Sequence, residues 1–132
     1  MARKPKVLVV DDDPTILELV TTILRLARVE VATAVDGEAA LALAGVMRPD
    51  VVLLDIMMPR MDGYDTCRAL KAADDAPEIV MITARTSTED ELAALAAGAD
   101  GYVRKPFRPE DILRAIRLEA AADEDSTSAD SA

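Results

Sequence analysis

The stretch Val7-Leu8-Val9-Val10-Asp11-Asp12-Asp13-Pro14 sets four apolar residues without interruption in front of three carboxylates and a proline. An unbroken apolar run of this length, bounded by turn formers, describes a strand covered on both faces. Asp13-Pro14 reads as a helix N-cap followed by proline at the first helical position, where the missing N–H has no helical partner in any case. The same grammar recurs downstream. Val51–Leu54 is a second unbroken run, closed by Asp55, and Ile79–Ile82 a third, closed by Thr83. Two segments alternate instead, Val29-Glu30-Val31-Ala32-Thr33 and Tyr102-Val103-Arg104, as less completely covered strands do. Between the strands, apolar residues recur at the i+3 and i+4 spacing of helices: Ile16, Leu17, Val20, Ile23, Leu24 and Ala27; Ala40, Leu41 and Ala44; Cys67 and Leu70; Leu92, Leu95 and Ala96; Ile112, Leu113, Ile116 and Ala120.

Strand then helix, five times over, implies an α/β fold with a parallel five-stranded sheet between two helical layers, a (βα)5 three-layer sandwich. The three unbroken runs belong in the middle and the two alternating strands at the edges, which gives the flavodoxin-like strand order 2-1-3-4-5. Ligands of such sheets bind beyond the carboxyl ends of the strands, beside the switch point between strands 1 and 3. At the helix boundaries, Ser87 with Asp90 resembles a capping box with Asp in the usual Glu or Gln position. Gly98 stands where a helix ends, and Arg28 occupies a helix exit at which glycine is the cheaper residue.

The 132 residues suffice for one domain and one core. Hydrophobic residues make up 51% but aromatics only 2%, so the core must be aliphatic. From about Ala120 the sequence turns acidic and small, which divides the chain into a folded domain at 1–120 and a disordered tail or linker start at 121–132. The net charge of −10, from 25 acids against 15 bases, argues against direct nucleic acid binding and against an anionic membrane as a partner. The lone Cys67 forms no internal disulfide and suits a small core position. Met1 to Lys6 is basic but leads into only four apolar residues, neither a signal peptide nor a membrane span, so the expected location is cytoplasmic. No histidine is present, which removes imidazole acid–base catalysis, His metal ligation and an internal phosphohistidine.

The residues just past the strands converge on one edge of the sheet. Asp11, Asp12 and Asp13 come after strand 1, Asp55 ends strand 3, Thr83 and Ala84 come after strand 4, and Lys105-Pro106 after strand 5. Carboxylates gathered at one point repel one another unless a cation joins them. Two Asp side chains and a backbone carbonyl are the hard oxygen donors that suit Mg²⁺, which also accepts phosphate oxygens. An Asp carboxylate beside such a metal can attack phosphorus, and Lys105, the Thr83 hydroxyl and nearby backbone N–H groups can clamp the charge that develops. Taken singly, each residue is an ordinary turn former, strand residue or solvated charge; only their joint placement points to chemistry.

VLVVDDDP, DVVLLDIMMPRMDG, IVMITAR and GADGYVRKPF resemble the successive motifs of bacterial response-regulator receiver domains of two-component systems, from about Lys6 to Leu118. The resemblance implies that Asp55 is the phosphoacceptor for a phosphohistidine on a sensor histidine kinase or phosphotransfer protein. It implies Mg²⁺, or Mn²⁺, held by Asp12, Asp55 and the Met57 backbone carbonyl, with Asp11 acting through water. Met57, Thr83, Ala84 and Lys105 would bind the phosphoryl group, and Thr83 and Tyr102 would switch the face from helix 4 through strand 5 to helix 5, roughly Ser87 to Glu119, toward a downstream protein or output domain. It also implies a cis peptide at Lys105-Pro106, and a phosphorylation-dependent dimer among its partners. Catalysis would be confined to assisting its own phosphorylation and slow dephosphorylation.

Some positions depart from the pattern. DNA-binding relatives of the winged-helix type carry two acids before the switch aromatic; here Asp100-Gly101 stands there, and Arg114 and Arg117 fall outside the expected register, which argues against that subfamily's dimer. Bulky Met57 and Arg85, at positions near the path of attacking water, suggest a long-lived phosphoryl group. A haloacid-dehalogenase-type phosphatase with Asp11 as nucleophile is an alternative that leaves Asp55 unexplained. A flavodoxin-like FMN binder would need a donor loop where three carboxylates stand. The chain also reads as a single-domain regulator or as the N-terminal receiver fragment of a longer DNA-binding or enzymatic regulator.

Overall fold

Five strands pair in parallel in the computed structural model, which describes residues 4–58, 61–84 and 87–124, the last eight of these by backbone alone. The elements are β1 (Lys6–Val10), α1 (Pro14–Leu26), β2 (Glu30–Ala34), α2 (Gly37–Met47), β3 (Val51–Asp55), α3 (Gly63–Lys71), β4 (Glu78–Thr83), α4 (Thr88–Ala96), β5 (Gly101–Arg104) and α5 (Pro109–Glu124). The sheet order is β2-β1-β3-β4-β5, with the three unbroken apolar runs in the centre.

Alternation along those runs sorts the core into two halves. Leu8, Val10, Val52, Leu54, Ile79 and Met81 face α2, α3 and α4 and pack on Ala40, Cys67, Leu70 and Ala94. Val7, Val9, Val51, Leu53, Val80 and Ile82 face the other way, onto Val20, Ile23 and Leu24 of α1 and Ile112, Ala115 and Ile116 of α5. Each buried aliphatic side chain contributes about 1.5–3 kcal/mol, so neither face of a central strand tolerates a polar residue. Cys67 is buried here, and burial pushes its thiol up to about 11, an unreactive setting.

Because all strands are parallel, every strand-to-helix junction falls at one pole of the sheet and every helix-to-strand junction at the other. At the carboxyl pole the helices begin on side-chain caps: Asp13 accepts from the Thr15 N–H, Asp36 from Ala39 and Asp62 from Asp65. Ser87 accepts from the Asp90 N–H at 3.0 Å and donates its hydroxyl to Asp90 Oδ2 at 2.7 Å. The short Asp side chain meets the Ser hydroxyl, where the longer Glu of a capping box would reach the Ser N–H.

At the amino pole α1, α2 and α4 end on left-handed residues: φ is 63° at Arg28, 52° at Arg48 and 102° at Gly98. Arg28 and Gly98 close the same motif. Val29 N–H donates to Leu24 O and Arg28 N–H to Arg25 O; Ala99 N–H donates to Ala94 O and Gly98 N–H to Leu95 O. Val29 is thereby drawn into the helix exit, so β2 begins at Glu30, one residue later than the sequence alternation suggests. At the chain's far end α5 continues to Glu124 through Ala120-Ala121-Ala122, strong helix formers, past the point where apolar patterning stops. Residues 125–132 lie outside the described set.

Candidate functional site

Register delivers the site. Val10 of β1 is aligned with Leu54 of β3, so the next residues along, Asp11 and Asp55, emerge side by side. Asp55 is aligned with Ile82 of β4, and Thr83 with Arg104 of β5, which brings Thr83 and Lys105 to the same edge. Two backbone bonds beyond the strands fix this arrangement: Asp11 N–H to Ala34 O at 3.1 Å and Lys105 N–H to Thr83 O at 2.8 Å.

Asp11 and Asp55 are buried, 2% and 5% exposed, whereas Asp12 is exposed. One carboxylate oxygen from each of the three lies within 4.8 Å of the others. The Lys105 ammonium is 3.1 Å from Asp11 Oδ2 and 3.4 Å from Asp55 Oδ1. Asp11 Oδ1 accepts the Asp13 N–H at 2.9 Å, which fixes the orientation of its carboxylate. Among the described residues the Lys105 ammonium thus pairs with two of these three carboxylates. Burial and the negative charge of Asp11 raise the Asp55 carboxyl from its ordinary 3.8 to about 6, against the opposing pull of Lys105. Burial alone would lower the Lys105 ammonium, but its hydrogen bond to Asp11 and the charges of Asp55 and Asp11 outweigh that and hold it above its ordinary value. A divalent cation among the three carboxylates would relieve the repulsion. Oxygens spaced within about 4–5 Å are in reach of two metal–oxygen bonds to one small ion, so these residues fit the hard-oxygen set expected for it.

The other expected residues lie on or just beyond strands β3, β4 and β5. Thr83 is fully buried at the end of β4, and Ala84 beyond it is exposed. Met57 projects an exposed side chain two residues after Asp55. Tyr102 is half-buried against the α2–α4 half of the core. The Lys105-Pro106 peptide is cis, as expected. Arg85, paired with Met57 in the expectation of a long-lived phosphoryl group, lies outside the described residues, as do Pro59 and Arg60.

Asp62-Gly63, an ordinary turn pair in sequence, is more specific in three dimensions. Gly63 N–H donates to Ile56 O at 2.8 Å, and a Cβ on Gly63 would stand 2.5 Å from the Asp55 carbonyl oxygen. Only a residue without a side chain lets α3 start against the backbone of Asp55. The Asp-Gly pair was the available signal; the close approach was not legible from it.

The local bonding also bears on the alternatives. In the phosphatase reading Asp11 and Asp13 would act together, but Asp13 Oδ1 is engaged in capping α1 at 2.9 Å from the Thr15 N–H. Asp100 is occupied at the amino pole by Lys71 Nζ at 2.7 Å and the Ile79 N–H at 2.9 Å, and Arg114 pairs with Asp111 on its own helix.

The family model for the response regulator receiver domain matches residues 7–117. Among curated proteins, the "DNA-binding response regulator MtrA" of Mycolicibacterium smegmatis is 44% identical over 122 residues, 92% of this chain and 53% of that protein. The protein of the same name from Mycobacterium tuberculosis is 42% identical, with 92% of this chain and 53% of that protein covered. Among solved structures, the Vibrio cholerae chemotaxis protein CheY4 superposes with a TM-score of 0.85 at 38% identity, covering 88% of this chain and 98% of that one. The chain thus spans about half the length of the curated relatives it matches. Their names overturn the expectation that nucleic acid is no partner: the repulsion inferred from a net charge of −10 concerns this chain's own surface, and says nothing of the half of those proteins that it does not span. Among the described residues no helix is long and apolar enough to cross a membrane. With the fold, the strand-end cluster and a family match over nearly all of the folded part in agreement, the chain belongs to the response-regulator receiver domains of two-component signalling.

Proposed function

We propose that Asp55 accepts a phosphoryl group from a phosphohistidine on a sensor histidine kinase or phosphotransfer protein. The observation that carries this reading is a buried strand-end carboxylate grouped with Asp11 and Asp12 and paired with Lys105. An Asp55 oxygen forms the new bond to phosphorus while the phosphorus–nitrogen bond of the donor breaks, the electron pair leaving with the imidazole nitrogen. The donor imidazole must come from the partner, since this chain has no histidine. Asp12, Asp55 and the Met57 backbone carbonyl would hold Mg²⁺ or Mn²⁺, with Asp11 acting through water; the ion would offset the charge gathered by the carboxylates and the phosphoryl oxygens. Lys105 stays cationic and pairs with the transferred group. The Thr83 hydroxyl and the Met57 and Ala84 N–H groups complete the clamp.

Thr83 is buried before transfer, so its engagement displaces it, and Tyr102 moves into the space released. That rearrangement is the signal, passed to a downstream protein or to an output domain in a longer polypeptide. Relatives named as DNA-binding regulators favour an output domain that contacts DNA. The phosphoryl group is held and then slowly lost with assistance from the same residues, in the cytoplasm, where the phosphohistidine donor would be made.

Incubation with Mg²⁺ and acetyl phosphate, read by intact mass, tests the assignment. The wild-type chain should gain one phosphoryl group and Asp55→Asn none, while EDTA should abolish the gain. Equal labelling of both proteins would refute it.

A further inference from the structure

Two side chains reach α4 from opposite sides and end on consecutive residues of its first turn. From α3, the Tyr64 hydroxyl lies 3.4 Å from Asp90 Oδ1 and 3.5 Å from the Asp90 carbonyl oxygen. From β5, the Arg104 guanidinium bonds Glu91 Oε2 at 2.6 Å. Both arms are rooted beside residues that touch Asp55. Tyr64 comes directly after Gly63, which packs on the Asp55 carbonyl. Arg104 precedes Lys105, which pairs with Asp55 and Asp11. Asp90 is further tied to Ser87 at the helix cap, so a pull on it is felt at the end of the segment joining Thr83 to α4.

We propose that Tyr64 and Arg104 form a two-armed latch that holds the first turn of α4 in place and is loosened when the Asp55 site is occupied. Each arm is weak, a long hydrogen bond on one side and a solvent-exposed ion pair on the other. Weak arms suit a latch that must open reversibly. Neither alone can lock the helix, but together they oppose both directions of a sideways shift. Tyr102 lines the same cavity as Glu91 and Arg104 and packs, like Tyr64, against the α2–α4 half of the core; burial and the charges around it raise its phenol above the ordinary value. An inward move of Tyr102 would therefore change the surroundings of both arms at once. This coupling rests on the phosphoacceptor reading of Asp55, whereas the latch itself does not.

Hydrogen exchange of α4 amides, with and without Mg²⁺ and beryllofluoride as a phosphoryl stand-in, tests it on the full chain. In the free protein, Tyr64→Phe and Arg104→Gln should each speed exchange in α4 by about two- to fivefold, and more when combined, with β1 and β3 unchanged. Arg104→Lys keeps a cation opposite Glu91 and should restore most of the protection. Beryllofluoride should speed α4 exchange in the wild type and have at most half that effect in the double variant. Unchanged α4 exchange in the double variant, or loosening spread evenly over all helices, would overturn the latch. Loosening with an undiminished beryllofluoride response would overturn the coupling. If the wild type takes no phosphoryl group from acetyl phosphate, the phosphoacceptor reading and the coupling fall together, while the exchange rates of the free variants still decide the latch.

Discussion

Asp50 precedes β3 and Asp55 ends it, so two carboxylates of one sequence segment sit at opposite poles of one five-residue strand. At the amino pole Asp50 Oδ2 accepts the Lys6 N–H at 2.8 Å, while its own N–H and C=O join β1 and β4 by bonding Lys6 O and Glu78 N–H. Asp100 does the same two helix-to-strand connections further on, bonding the Ile79 N–H and Lys71. At the carboxyl pole Asp55 meets two further carboxylates and, among the described residues, shares the Lys105 ammonium with Asp11. The same residue type is structural where donors outnumber acceptors and chemically primed where acceptors outnumber donors.

The largest expected effects on stability are at the amino pole. Asp100→Ala strands the Ile79 N–H and leaves the Lys71 ammonium with the Pro77 carbonyl but no carboxylate, and Asp50→Ala strands the Lys6 N–H. Each should cost about 1–3 kcal/mol, with Asp100→Ala toward the upper end, since an unsatisfied donor loses its full desolvation energy. Urea denaturation measures the loss, and phosphoryl uptake from acetyl phosphate below the transition should remain at the wild-type level. A loss of uptake with unchanged stability would mean that the two poles are not separate in function.

Asp55→Asn should do the reverse, and only above a certain pH. The Asp55 carboxyl titrates near 6 in the folded chain against an ordinary 3.8, so between those values the folded state holds the proton more tightly than the unfolded chain does. Stability contributed by the protonated form is present below about 4 and is lost as pH rises through about 6. Asparagine cannot ionise and escapes that loss. In EDTA the variant should therefore match the wild type near pH 4 and exceed it by on the order of 1–2 kcal/mol above pH 6, allowing for water at the mouth of the site. Thermal melts across that range measure the difference, and added Mg²⁺ should narrow it by stabilising the wild-type carboxylate. A constant offset at all pH values would show that Asp55 carries no unrelieved charge.

The poles also differ in how much of them the sequence discloses. Strand order and the gathering of Asp11, Asp12, Asp55, Thr83 and Lys105 were legible because unbroken apolar runs mark central strands, and these residues stand at or just beyond the strand ends. Asp50 and Asp100 give no such signal. Their partners lie 44 and 21 residues away, and only the register selects which N–H each one meets. Tyr64 was equally silent, because its partner depends on how α3 and α4 lie side by side. Val29 misled for a local reason: its alternation with Val31 suggests a strand, but the helix exit at Arg28 claims its N–H first.

That exit offers the smallest effect and the most local test of the amino pole. Arg28 and Gly98 hold the same pair of hydrogen bonds and the same left-handed turn, at φ 63° and 102°. A residue with a Cβ strains in this region and glycine does not. Arg28 is exposed and makes no side-chain bond among the described residues, so Arg28→Gly removes strain without removing a contact. The gain should be about 0.5–1 kcal/mol, offset in part by the greater freedom glycine gives the unfolded chain. Gly98→Ala should lose at least as much, because a Cβ there also meets the Lys71 side chain at 3.0 Å. Opposite signs at the two exits would show that backbone conformation, not side-chain contact, governs these junctions. Destabilisation by Arg28→Gly would instead mean that the arginine side chain contributes to the amino pole through its charge, and the division between a pole stabilised by donors and a pole primed by acceptors would then extend to the helix exits themselves.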